Sequence, residues 1–158
     1  MSTYSQALQQ LIVDQIQLEF QASHIYKGFG NFLKHPQMAY PGFSKFFLNE
    51  SEEELKHAQA FIDYHQKRGF FTTPPAIAAI DNKVSPVDAI KRALTVEQQV
   101  LDNLNKISKI ADPQTQTFIE DYLTIQTDSI AEYTEMLTKV LRVENDNLGL
   151  YMLDKEFQ

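Results

Sequence analysis

The 158 residues of the sequence include no cysteine. Disulfide bonds and thiolate chemistry are therefore excluded, and any metal site must use oxygen and imidazole ligands. Basic residues are also few, since 14 Lys and Arg stand against 21 Asp and Glu for a net charge of -7. Sequence-independent binding of nucleic acid requires a basic face that neutralises phosphates. We therefore expect no nucleic acid partner, and cations are the more plausible ligands.

Long hydrophobic runs are absent as well. No apolar stretch approaches the ~20 residues of a membrane span, and the first residues lack the charged and apolar blocks of a signal peptide. We therefore expect no membrane association and a cytoplasmic location. The 43% hydrophobic and 22% charged residues are close to the averages for globular proteins. We expect one folded domain that comprises residues 1–158.

Glycine and proline are scarce, and they stand between long stretches that carry apolar residues at helical spacing. Pro41, Pro86 and Pro113 suit the first turn of a helix, and Gly69 suits the position after a helix. The pattern predicts an all-α fold. The predicted helices comprise residues 4–33, 41–68, 86–111 and 113–142, with a short fifth helix near 147–157.

The lengths of the connections indicate the topology. A short link between the first two helices favours antiparallel neighbours, and the same holds for the third and fourth. Residues 70–85 show no helical period and can extend roughly 50 Å, more than the ~40 Å length of a helix of about 27 residues. This segment can return the chain to the other end of the molecule. Two hairpins joined by one long crossover form a ferritin-like four-helix bundle.

Each long predicted helix carries one polar residue near the middle of its apolar stripe. An isolated ionised carboxylate in such a core costs many kcal/mol unless it is neutralised or paired. Lys and Arg do not occur on these stripes at matching depth, so a metal is the simplest source of compensating charge. In chain order, the four residues are Glu19, Glu54, Glu97 and Gln126.

The second helix adds a histidine to this set. Glu54 and His57 are three residues apart, so both side chains lie on one helix face and can share a metal. We expect the neighbouring Glu50, Glu52 and Lys56 to point elsewhere and to be solvated. Together with the polar residues of the other helices, this pair predicts a dinuclear carboxylate site.

Two members of the candidate site have an alternative interpretation. Gln126 can be a metal ligand or a hydrogen-bonded amide in the core. Tyr26 lies two turns from Glu19 on the same helix face, where it can be a redox partner of the site or simply a packed aromatic residue.

Five segments of the sequence, in this order, resemble motifs of the non-haem ferritins. The resemblance spans nearly the whole chain and implies the ferritin-like four-helix bundle with one long crossover and a short C-terminal helix. It also implies a ferroxidase that oxidises Fe(II) with dioxygen or hydrogen peroxide. The ferric product would be stored in a hollow homo-oligomeric shell of twenty-four subunits. The segments are Leu18–Tyr26, Glu53–Ala58 with Gln66–Gly69, Ala93–Glu97, Phe118–Gln126 and Gly149–Lys155.

The resemblance further implies roles for individual residues. Iron would pass through a dinuclear site as a substrate. The first iron position would use Glu19, Glu54 and His57. The second would use Glu97 and a bridging Glu54, with Gln126 close by and Tyr26 alongside.

Two further features of related proteins are less complete here. Glu53 and Asp128 match part of a third iron position found in bacterial ferritins, but Ile125 and Ser129 stand where carboxylates are expected. The presence of a third position therefore stays open. No methionine occupies the place of the haem ligand in the second helix, so we expect no haem.

Two other functions stay open at this point. One is a di-iron or di-manganese oxidase that acts on an organic substrate or detoxifies peroxide without storage. The other is a structural shell subunit without turnover, although the set of inward-facing acids speaks against it.

Overall fold

A computed structural model describes residues 3–158 of the chain, which form five α-helices and, within that range, no strand. These helices confirm the predicted all-α fold, and their ends lie within two residues of the predicted ones. The first two residues of the predicted domain lie outside the described range. The helices are α1 (Gln6–Leu33), α2 (Pro41–Lys67), α3 (Pro86–Ile110), α4 (Pro113–Val143) and α5 (Asn147–Glu156).

Local signals in the sequence account for most helix ends. The side chains of Ser5, Ser85 and Asp112 each accept a hydrogen bond from a backbone N–H in the first turn of α1, α3 and α4. Such N-caps satisfy donors that have no partner within the helix. Gly69 follows α2 with φ of 95°, a left-handed conformation that glycine adopts without strain.

α1 and α2 form an antiparallel hairpin. The Ser23 hydroxyl donates to the carbonyl of Ser51 at 2.8 Å, and the Ser44 hydroxyl donates to the carbonyl of Gly30 at 2.7 Å. From Ser23 to Gly30 along α1, the partners on α2 run backwards from Ser51 to Ser44, so the two helices are antiparallel. These short contacts draw the two backbones close together in the half of the bundle that contains the α1–α2 turn.

The crossover of residues 70–85 returns along α1, as its length predicts. The Gln17 amide donates to the carbonyl of Ala76 at 2.8 Å, and the Asn82 amide donates to the carbonyl of Gly28 at 3.4 Å. α3 therefore begins at the same end of the bundle as α2. α3 packs antiparallel to both α1 and α4, and α5 packs on α2 and α4.

The interior of residues 3–158 contains two clusters of buried hydrophobic residues, and Glu19, Glu54, Glu97 and Gln126 lie between them. On every long helix, the members of the two clusters stand on opposite sides of the central polar residue. On α4, Met136 is buried, whereas Leu141 is 42% exposed although the helical spacing places it next to the apolar stripe. No helix in residues 3–158 is long and apolar enough to cross a membrane.

Candidate metal centre

One group of ligand atoms belongs to Glu19, Glu54 and His57. These atoms lie within 4.8 Å of one another. The Nδ1 atom of His57 is 3.5 Å from Oε2 of Glu54 and 3.8 Å from Oε2 of Glu19. Both carboxylates are buried, whereas the His57 side chain is 16% exposed, so the imidazole lies at the outer side of the group.

Two oxygen atoms of this group lack hydrogen-bond partners among the described residues. They are Oε2 of Glu19 and Oε2 of Glu54, and both face Nδ1 of His57. Native proteins seldom leave a buried polar atom without a partner, because its desolvation is not compensated. Two carboxylates and an imidazole are suitable ligands for Fe(II) and similar divalent ions. The donor set therefore fits a metal ion.

A second group of oxygen atoms belongs to Glu50, Glu54 and Glu97, again within 4.8 Å of one another. Glu97 is fully buried and accepts a hydrogen bond from the Tyr26 hydroxyl at 2.7 Å. The Gln126 amide donates to Oε2 of Glu97 and, at 2.9 Å, to its backbone carbonyl. Because Glu54 belongs to both groups, it lies between two adjacent candidate cation positions.

The structure overturns one detail of the sequence interpretation. Glu52 and Lys56 are exposed as predicted, but Glu50 is only partly exposed and belongs to the second group. The prediction that Glu50 points away from the site is wrong. Glu50 precedes Glu54 by four residues, and residues four apart lie on the same helix face. That spacing was the available signal.

A buried hydrogen-bond chain positions Glu19, and the sequence interpretation did not include its members. The Gln15 amide donates to Oε1 of Glu19 at 2.8 Å. The Asn103 amide on α3 donates to Oε1 of Gln15 at 2.9 Å and to the carbonyl of Leu11 at 3.1 Å. This chain fixes one oxygen of Glu19 and leaves the other free to face the site. The spacing of four residues between Gln15 and Glu19 is the only signal in the sequence.

Burial and mutual repulsion separate the pKa values of the site carboxylates. Burial, reinforced by the negative charge of Glu19, raises the pKa of Glu54 well above its ordinary value. Burial also raises the pKa of Glu97, against the effect of its hydrogen-bond donors. Burial opposes ionisation of Glu19 too, but the neighbouring Glu54 and His57 side chains and the Gln15 amide outweigh it and lower the pKa of Glu19. Without metal, the centre therefore retains protons that a bound cation displaces.

The two residues proposed for a third iron position lie at the surface. The Glu53 side chain is 51% exposed and pairs with Nζ of Lys56 at 2.9 Å. Asp128 is exposed on α4. Neither residue belongs to the two groups of ligand atoms, and the third position stays a prediction.

Similarity to known proteins agrees with this geometry. Residues 9–143 match the family described as the ferritin-like domain. The chain is 34% identical to "Ferritin" of Pacifastacus leniusculus, over 91% of this chain and 83% of that protein. It is 34% identical to "Soma ferritin" of Lymnaea stagnalis, over 90% of this chain and 85% of that protein. It is 30% identical to "Ferritin, chloroplastic" of Malus baccata var. xiaojinensis, over 96% of this chain and 65% of that protein.

Proposed function

The chain belongs to the ferritin family, and from that premise we propose that it stores iron and oxidises Fe(II) to Fe(III) at its buried carboxylate centre. The observation that carries this proposal is the pair of adjacent ligand groups that share Glu54. A shared carboxylate holds two metal ions close together, as in di-iron carboxylate proteins. The activity is that of a ferroxidase, with iron as substrate.

Each of the two positions has a distinct donor set in this proposal. Glu19, Glu54 and His57 bind one ferrous ion, and Glu54 and Glu97 bind the other. Each ferrous ion gives up one electron, so the pair together can reduce one dioxygen to hydrogen peroxide, or one hydrogen peroxide to water. Carboxylates are hard ligands that favour the ferric product.

Tyr26 and Gln126 act on the second position through Glu97. Both donate hydrogen bonds to the Glu97 carboxylate, which fixes its orientation before iron arrives. Gln126 is neutral, so it does not add a negative charge that would retain the ferric ion. This composition suits a site through which iron passes, and no haem is part of the proposal.

We also propose that the chain assembles into a homo-oligomeric shell, of twenty-four subunits as in the family it resembles, around the ferric product. The exposed apolar side chains of α5 support assembly, because Leu148, Tyr151 and Met152 are 67%, 57% and 63% exposed. The cytoplasmic location stays a prediction, since similar proteins include ferritins named as chloroplastic.

The alternative is an oxidase that acts on an organic substrate without storage. Such an enzyme needs space for the substrate beside the carboxylates. Five surface cavities of the described residues are lined by other side chains and include none of Glu19, Glu54 and Glu97. Those cavities give no support to this alternative.

Stopped-flow measurement of Fe(II) oxidation tests the proposal. Glu97→Ala removes a ligand of the second position, and we expect the rapid phase to slow more than about 100-fold while the shell stays folded. Glu52→Ala on exposed α2 surface is the matched control and keeps the wild-type rate. A wild-type rate in Glu97→Ala contradicts the assignment.

A further inference from the structure

The structure assigns a third carboxylate to the second iron position: we propose that Glu50 is a direct ligand there, beside Glu54 and Glu97. The inference rests on the proposed function for the identity of the ion. It concerns a residue whose sequence context predicts a solvated side chain. It also gives the second position three carboxylate ligands in place of two.

The distances between the carboxylate oxygens suit a bound cation. Two oxygen ligands on opposite sides of one small divalent ion stand ~4.2 Å apart, because each metal–oxygen bond is ~2.1 Å long. Ligand atoms of Glu50, Glu54 and Glu97 already lie within 4.8 Å of one another. A cation among them therefore requires only a small inward movement of the side chains. Glu50 is also the most accessible of the three, so it can receive an ion from outside the core.

A buried hydroxyl without a hydrogen-bond partner among the described residues lies in the same part of the core. Tyr133 on α4 is completely buried, and its hydroxyl has no hydrogen-bond partner among the described residues, although the Tyr26 hydroxyl lies near. Burial raises the pKa of Tyr133, and the charges that raise it further are those of Glu50, Glu97 and Glu54. The Tyr133 ring also lies 6.1 Å from the ring of Tyr26, whose own hydroxyl donates to Glu97, so the free hydroxyl shares the buried surroundings of the site. It can donate a hydrogen bond to an oxygen ligand of a bound ion.

The charge of two bound ions also requires a further carboxylate. Two ferrous ions carry four positive charges, whereas Glu19, Glu54 and Glu97 supply three negative charges and Gln126 supplies none. A net charge buried between two hydrophobic clusters is costly. Among the described residues, no lysine or arginine forms an ion pair with Glu19, Glu54 or Glu97, and the fourth negative charge that balances the ions is available from Glu50.

The assignment predicts a difference in ion preference between the two positions. The first position includes the imidazole of His57, which suits transition metals such as Zn²⁺ and Fe²⁺. The second contains only carboxylate oxygen atoms, which suit hard ions. A trivalent lanthanide therefore prefers the position that Glu50 completes.

Terbium luminescence tests this assignment. The chain has no tryptophan, so energy transfer to bound Tb³⁺ comes from tyrosine, and Tyr26 and Tyr133 lie beside the site. Titration of wild-type protein should show a tight Tb³⁺ site with tyrosine-sensitised emission. We expect Glu50→Gln to weaken this binding at least about 10-fold. Glu52→Gln removes the same charge from exposed α2 surface and should bind Tb³⁺ like the wild type.

Two further readouts separate the possible outcomes. His57→Ala should retain the tyrosine-sensitised Tb³⁺ site, because His57 is a ligand of the first position and not of the second. Circular dichroism and the assembled size should be unchanged in Glu50→Gln, which preserves side-chain shape. Equal Tb³⁺ affinity in Glu50→Gln and the wild type overturns the assignment, as does an equal loss of affinity in His57→Ala and Glu50→Gln.

The test is independent of iron chemistry. Tb³⁺ undergoes no oxidation, so a wild-type chain that binds Tb³⁺ through Glu50 but does not oxidise Fe(II) contradicts the proposed function alone. Normal Fe(II) oxidation together with unchanged Tb³⁺ binding in Glu50→Gln contradicts the Glu50 assignment alone.

Discussion

Two buried tyrosines near the metal centre have opposite hydrogen-bond states. The Tyr26 hydroxyl donates to Glu97, whereas the Tyr133 hydroxyl has no partner within residues 3–158. Their ring centroids are 6.1 Å apart, so the two residues share one environment. Removal of each hydroxyl therefore compares a satisfied donor with an unsatisfied one at nearly the same depth.

We expect Tyr133→Phe to leave the stability of the metal-free protein unchanged or to raise it by about 1 kcal/mol, because it removes an uncompensated polar group. We expect Tyr26→Phe to lower stability by about 1–3 kcal/mol, because Glu97 loses a donor. Chemical denaturation in the presence of a chelator measures both. An equal loss in the two variants contradicts this view of the site.

The central residues of the site could be predicted from the sequence because each interrupts an apolar stripe. Glu19, Glu54 and Glu97 therefore stood out. Glu50 and Gln15 lie beside such stripes, where a polar residue is ordinary whether it faces solvent or the site. The packing of neighbouring helices decides which way these side chains turn, and a single helix pattern does not contain that information.

At the scale of helices, one ion pair joins the end of α2 to the start of α4. Arg68 donates to both carboxylate oxygens of Asp112, whose side chain also caps α4 through the N–H of Thr115 at 2.9 Å. The Asp112 side chain is 1% exposed. The Arg68 guanidinium lowers the pKa of Asp112 well below its usual range. One carboxylate thus performs two structural roles.

Two substitutions separate these roles. Asp112→Ala removes the cap and the ion pair, and we expect a loss of about 3 kcal/mol or more in the free energy of unfolding. Asp112→Asn keeps an oxygen for the cap and should be less destabilising by about 1 kcal/mol. Denaturation curves of both variants measure the difference. Equal losses would indicate that the cap contributes nothing.

The same pair predicts a pH dependence. The pKa of Asp112 is lower in the folded protein than in the unfolded chain, where it is about 4. The ion pair therefore contributes its full stability above this unfolded pKa, and the contribution declines as pH falls further. Carboxyl groups of this kind titrate between about pH 5 and pH 2, and over this range the wild type should lose more stability than Asp112→Asn. Parallel pH profiles of the two proteins contradict the assignment.

Local patterns predicted the helices well because proline, serine and aspartate stand at their starts. Pro41 marks the start of α2 in the same way, but Tyr40 provides no side-chain cap there. Instead, Asp154 of α5 accepts a hydrogen bond from the N–H of Phe43 at 2.8 Å. Gly42 lies against the backbone of Asp154, where a Cβ atom would collide. A contact across 111 residues of sequence is invisible to local patterns.

At the scale of the whole molecule, α5 presents an exposed apolar surface beyond the part that it buries against α2 and α4. If this surface forms a subunit contact, Leu148→Lys combined with Met152→Lys should shift the shell toward smaller species. Gln158→Lys adds a positive charge close by without removing apolar area and serves as the control. Size-exclusion chromatography with light scattering measures the assembly. A double variant of unchanged size contradicts this role for α5.

The central claim is that the buried carboxylates hold two iron ions on either side of Glu54. Anomalous diffraction from crystals soaked anaerobically in Fe(II) tests it most directly. We predict two iron peaks, one beside Glu19 and His57 and one beside Glu97 and Glu50, with Glu54 bound to both. A map without iron within bonding distance of Glu54 would contradict the account.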